Sequence, residues 1–146
     1  MQKMRQSLNI IFIGVSSRDS EPFISMLRSA RLAPRAELAD DQNSLKELLK
    51  QRQWEIIIYA QDSSLSFDKL TELLKASNKD MPVIILAPDA SAEHALSGLK
   101  QKASAVVPVD AKELLVMMIR RELYHLENRR RRRQAEFHLI ETEKRC

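Results

Sequence analysis

Apolar and polar positions fall along this chain in two kinds of block. Short runs that are apolar almost throughout recur at Leu8–Val15, Trp54–Ala60, Met81–Ala87 and Ala105–Val107. They are rich in β-branched residues. A short, continuous run of that kind fits a strand buried on both faces. Trp54-Glu55-Ile56-Ile57-Ile58-Tyr59-Ala60 is the clearest of them and reads as the middle strand. Between the runs lie longer stretches whose apolar residues recur every three or four positions, as on one face of a helix.

In chain order the pattern predicts five β–α units. Leu8–Val15 is the first strand, and Ser20-Glu21-Pro22 starts a helix carrying Phe23, Met26, Leu27 and Ala30 inward. Arg35–Ala39 is a weaker second strand. Asp40-Asp41-Gln42-Asn43 then offers caps for a helix through Leu45, Leu48 and Leu49. The third strand, Trp54–Ala60, leads to a helix over Leu65–Ser77 with Leu70, Leu73 and Leu74 inward. The fourth strand, Met81–Ala87, leads to a helix over Ala92–Gln101. Pro108 stops the fifth strand, and Asp110 caps a helix with no evident stop before Cys146.

Alternating strands and helices indicate an α/β fold with a parallel sheet. Right-handed crossovers and this length favour the flavodoxin-like strand order 2-1-3-4-5. The (βα)5 body occupies residues 1–120 and the extended last helix residues 121–146.

Composition changes the picture in one place. The 146 residues are 44% hydrophobic and 30% charged, ordinary for a globular chain. The net charge is +4, but residues 1–118 hold 15 basic and 15 acidic residues, and residues 119–146 hold 9 and 5. The positive excess lies in the tail. Cys146 is the single cysteine, so no internal disulfide forms, which points to a reducing, cytoplasmic setting. No apolar run reaches the ~20 residues of a membrane span, and the N-terminus lacks the long apolar core of a signal peptide.

In open α/β sheets chemistry gathers at the carboxyl ends of the strands. Here the end of the middle strand carries a methyl group, at Ala60. Asp62 lies two residues past Ala60, about 7 Å along an extended strand, and Asp19 and Glu21 read as too far into the loop and helix. His94, His125 and His138 have no metal spacing, and Gly14 and Gly98 make no phosphate-binding motif. No catalytic residue, metal site or cofactor is expected.

IIFIGV, the helix ending LRSARL, WEIIIYA, MPVIILA and ASAVVP together resemble a receiver domain of two-component signalling. The resemblance covers about residues 8–120. It implies a phosphorylation site, here vestigial: the acidic pair falls near Gly14 and Val15, the acceptor Asp at Ala60, the hydroxyl residue at Ala87 and the Lys at Val107. At those positions Mg²⁺ finds no oxygen ligands, no acyl phosphate forms on alanine, and no cation is placed to neutralise a phosphoryl group. SSRDSEPFISMLRSARLA, ASAVVP and RRELYHLENRRRRRQAEFHLIETEKRC are similar to the N-terminal pseudo-receiver of FimX-type cyclic-di-GMP signalling proteins. That likeness implies PAS, GGDEF and EAL domains beyond Cys146, a link to type IV pili and twitching motility, and a regulatory role without catalysis.

From Ala111 to Cys146 there is neither Pro nor Gly. At 1.5 Å per residue this helix would extend roughly 54 Å. Val116, Ile119, Leu123, Leu126, Arg130, Arg133, Phe137, Ile140 and Lys144 alternate in steps of three and four, as in a two-stranded seam. They imply a homodimer that positions downstream domains. The resemblance adds the face formed by the fourth helix, fifth strand and last helix, with Leu96, Leu99, Leu115, Ile119 and Leu123 as contacts. Met117 and Met118 read as core filling, and Arg129–Arg133 as solvated coiled-coil surface, ahead of a partner or membrane-surface contact and of a nucleic-acid patch. Two alternatives stay open: an active receiver phosphorylated at a non-standard residue, and a basic helical nucleic-acid binder.

Overall fold

The computed structural model describes residues 6–77, 81–89, 91, 93 and 103–145, with residues 6, 130 and the stretch from 133 onward as backbone path only. Five parallel strands form one sheet in the order β2-β1-β3-β4-β5. The strands are β1 (Gln6–Ile13), β2 (Leu32–Ala39), β3 (Ile56–Ala60), β4 (Val83–Ala87) and β5 (Ala105–Pro108). The helices are α1 (Ser17–Ser29), α2 (Gln42–Gln51), α3 (Phe67–Ala76) and α4 (Lys112–Arg145). This is the flavodoxin-like order expected from the alternation. The helix expected over Ala92–Gln101 lies almost wholly outside the described residues, with Leu96 and Leu99.

The sheet is buried on both faces, and for that reason its strands read as unbroken apolar runs. One face carries Ile10, Phe12, Ile56, Ile58, Ile84 and Val107 against Phe23 and Leu27 of α1 and Leu115, Ile119 and Leu123 of α4. The other carries Ile11, Ile13, Ile57, Tyr59, Val83 and Ile85 against Leu45, Leu48 and Leu49 of α2 and Leu70, Leu73 and Leu74 of α3. Trp54 is buried beneath α2, and its indole N–H donates to the Leu48 carbonyl at 2.7 Å. At ~25 cal/mol per Å², each fully buried aliphatic side chain contributes roughly 1.5–3 kcal/mol.

Strand ends shift by one or two residues from the sequence pattern at several places, and three boundaries differ for a physical reason. α1 begins at Ser17, not after Ser20: Ser16 is its cap, accepting from the Asp19 N–H at 3.0 Å, and Pro22 lies inside the helix. β2 begins at Leu32 and includes Pro34, which an edge strand tolerates and a central strand does not. α3 begins at Phe67 with Ser66 as its cap, while Leu65 stays in the loop.

The largest correction concerns α4. Leu115, Ile119, Leu123 and Leu126 are all buried within this chain, so they do not present an interface to a second copy. Val116 is half-buried and packed on the same core. Burial continues to Leu126, six residues past the boundary expected at 120. The reason is that α4 runs on over the end of α1, where the Arg120 guanidinium donates to the Ala30 carbonyl. Met117 is exposed rather than core, whereas Met118 packs against it. Phe137 and Ile140 fall where side chains lie outside the described residues.

Candidate functional site

The parallel register aligns the strand ends. Ile13 pairs with Tyr59, Ala60 with Leu86, and Leu86 with Val107. Chain leaving β1, β3, β4 and β5 therefore turns at one sheet edge. There it borders a cleft of about 530 Å³. The floor is apolar: Val15, Phe23, Ala60, Leu86, Ala87 and Val109 line it.

Of the five expected strand-end residues, Gly14, Val15, Ala60 and Ala87 line this cleft. Val107 does not. Its side chain is fully buried in the sheet core under α4, because alternation along β5 points it there with Ala105. Val109 and Lys112 reach the cleft in its place.

Among the described residues, four charged ones also line the cleft: Arg18, Asp19, Asp62 and Lys112. The sequence did not place them there, and the structure gives the reasons. The chain does not run on straight past Ala60. The Ser63 N–H donates to the Ala60 carbonyl at 2.9 Å, closing a turn that carries Asp62 to the cleft. α1 starts four residues earlier than its composition suggested, so Arg18 and Asp19 occupy its first turn beside the sheet edge. Lys112 is the first residue of α4, delivered by the short β5–α4 connection. The expectations that Asp19 lies too far away and that no cation is near are thereby corrected.

Gly14 has φ +73, a conformation an L side chain rarely adopts. A Cβ there would lie 2.6 Å from Ser63 Cβ. The loops after β1 and β3 therefore touch at a point that only a hydrogen atom fits. Behind this contact, the Tyr59 hydroxyl donates to the Leu65 carbonyl, and the ring packs edge-on to Phe67 at 5.4 Å. Burial pushes the Tyr59 phenol above its ordinary value of 10.0, and the nearby Asp62 carboxylate adds to that.

Among the described residues no three His, Cys, Asp or Glu side chains gather as metal ligands. None of their helices is long and apolar enough to cross a membrane. Among the described residues of α4 the large exposed apolar ones are Leu114, Met117 and Tyr124. Arg131 pairs with Glu127 one turn back at 2.8 Å, as on a solvated helix surface.

No family model and no curated protein matches the chain. Solved structures do. The Francisella response regulator 1452 receiver domain superposes with a TM-score of 0.65 at 16% identity, covering 82% of this chain and 98% of that one. The signal receiver domain of an HD domain-containing protein from Pseudomonas fluorescens Pf-5 gives 0.67 at 13% identity, covering 84% and 99%. A response regulator protein from Burkholderia pseudomallei gives 0.58 at 16% identity, covering 84% and 72%; it carries a phosphorylated aspartic acid, a calcium ion and citrate. Strand order, helix placement and these superpositions agree: the fold of this chain is that of a response-regulator receiver domain.

Proposed function

We propose that the chain is a regulatory signalling module that takes no phosphoryl group at the usual strand-end position and acts through its last helix. The observation that carries this is Ala60 at the carboxyl end of β3, where a methyl group stands in the cleft that receivers use for chemistry. Gly14 and Val15 supply no side-chain oxygen beside it, and Ala87 no hydroxyl. In this reading the receiver fold is kept as a platform, and α4 carries the output to further domains, those of a cyclic-di-GMP signalling protein of the FimX type.

Self-association through α4 belongs to the same reading, but by another face. With Leu115, Ile119, Leu123 and Leu126 occupied in the core, the pairing surface is the opposite one. Leu114, Met117, Arg121, Tyr124, Asn128 and Arg131 follow one another in steps of three and four along it. Leu114, Met117 and Tyr124 are its exposed apolar members.

A second reading has one specific observation in its favour: Asp62 shares the cleft with Asp19 and Lys112, so it is the carboxylate placed to accept phosphate at a non-standard position. Incubation with acetyl phosphate and Mg²⁺ followed by intact mass separates the two. The expected result is no covalent adduct; a stable phosphoryl adduct on Asp62 supports the second reading and defeats the first.

A further inference from the structure

The charges at the cleft are unspent. Among the described residues, the side chains of Arg18, Asp19, Asp62 and Lys112 enter no ion pair with each other or with any neighbour. Two are cationic and two anionic, and they rim an apolar floor.

We infer that this cleft binds a small zwitterion with an apolar body, the chemistry of a free amino acid with an aliphatic or aromatic side chain. The inference rests on the reading that no phosphoryl group occupies the cleft. A carboxylate is met by Arg18 and Lys112, and by the positive N-terminal ends of the α1 and α4 dipoles. An ammonium is met by Asp19 and Asp62. The apolar body rests on Val15, Phe23, Leu86 and Val109.

Size and charge balance both select this class. A volume of about 530 Å³ lies inside the roughly 300–1,000 Å³ of small-molecule sites. An anion without a cationic group would set its charge against Asp19 and Asp62. A lone metal ion would find two carboxylates opposed by two cations and no third acidic or imidazole ligand among the described residues. Only a ligand with both signs answers all four side chains. The small residues at Gly14, Ala60 and Ala87 leave space that longer side chains would fill.

Titration calorimetry of the full chain tests the inference, using L-leucine and L-phenylalanine against their N-acetyl derivatives, which lack the cation, and their amides, which lack the anion. Saturable binding of at least one amino acid is expected, with each of its two analogues tenfold weaker or more. Asp62→Asn and Lys112→Gln should each weaken it about tenfold without changing thermal stability, since Asp62 is exposed and Lys112 half-buried. Absence of saturable heat from both amino acids overturns the inference. So does binding unchanged in both variants, or analogues that bind as tightly as the zwitterion. A phosphoryl adduct on Asp62 would defeat the phosphate-free reading alone, because the titration uses the unmodified chain.

Discussion

Gly14 and Ser63 meet so closely that a single methyl on Gly14 would stand 2.6 Å from Ser63 Cβ and 2.7 Å from its Oγ. The contact clamps the loop after β1 to the loop after β3 and sets the width of the cleft between them. Gly14→Ala is expected to destabilise by about 2–3 kcal/mol, part from the left-handed backbone and part from the clash. In a Ser63→Gly background the contacts with Cβ and Oγ are gone, while the backbone strain and a 3.1 Å approach to the Cα at that position stay. The double variant should recover about 1 kcal/mol in urea unfolding; strict additivity would mean the two loops do not touch.

The two faces of α4 make opposite predictions. Ile119 is fully buried, so Ile119→Ala should cost about 2–5 kcal/mol of stability. Met117 and Tyr124 are both 63% exposed, so Met117→Glu and Tyr124→Glu should leave the unfolding midpoint nearly unchanged. If α4 pairs with a copy of itself by its exposed face, those two changes shift the mass seen by light scattering to that of one chain. A dimer that survives both substitutions assigns the pairing elsewhere.

Asp41 caps α2, and its carboxylate accepts the Ser44 N–H at 2.7 Å. That backbone hydrogen bond, together with the Ser44 side chain, holds its pKa below the ordinary 3.8. A carboxylate with a lowered folded pKa stabilises above its unfolded pKa and loses that contribution as pH falls through the folded value. Asp41→Ala should therefore lower the melting temperature at neutral pH and narrow its gap to the parent chain below about pH 4. Asp41→Asn, still a good cap, should recover most of the loss.

Tyr59 makes the complementary case on the alkaline side. Its folded pKa is raised, chiefly by burial, so its contribution is complete below 10.0 and is lost as pH rises through the folded value. Tyr59→Phe removes the hydroxyl and leaves the Leu65 carbonyl unpaired, at a cost of about 1–3 kcal/mol. The variant should also be less sensitive than the parent to pH above 10, which spectrophotometric titration combined with thermal melts would measure.

The body of the fold was legible because its strands announce themselves. Ile56–Ala60 and Val83–Ala87 are buried at every position, and burial on two faces leaves no room for polar alternation. The cleft was legible only in its inert half. Gly14, Ala60 and Ala87 sit on strand ends that the periodicity locates. Arg18, Asp19, Asp62 and Lys112 depend on where a turn closes and a helix begins, which no apolar period records. Ser16 three residues before Asp19 was the available signal, masked by the stronger-looking Ser20-Glu21-Pro22. On α4 the same heptad steps fit two faces, and the sequence could not say which one the sheet would claim. The stripe beginning at Leu115 was already needed to cover β3 and β5.

α1 has a first turn beside the cleft and a C-terminal carbonyl, at Ala30, gripped by Arg120 of α4. Thirteen residues of helix span about 20 Å. The helix is a strut fixed at both ends: a tilt of its first turn must either be taken up along its length or be felt at the base of the long rod. Displacement at one edge of the sheet thus has a mechanical path to the opposite edge that does not pass through the strands at all.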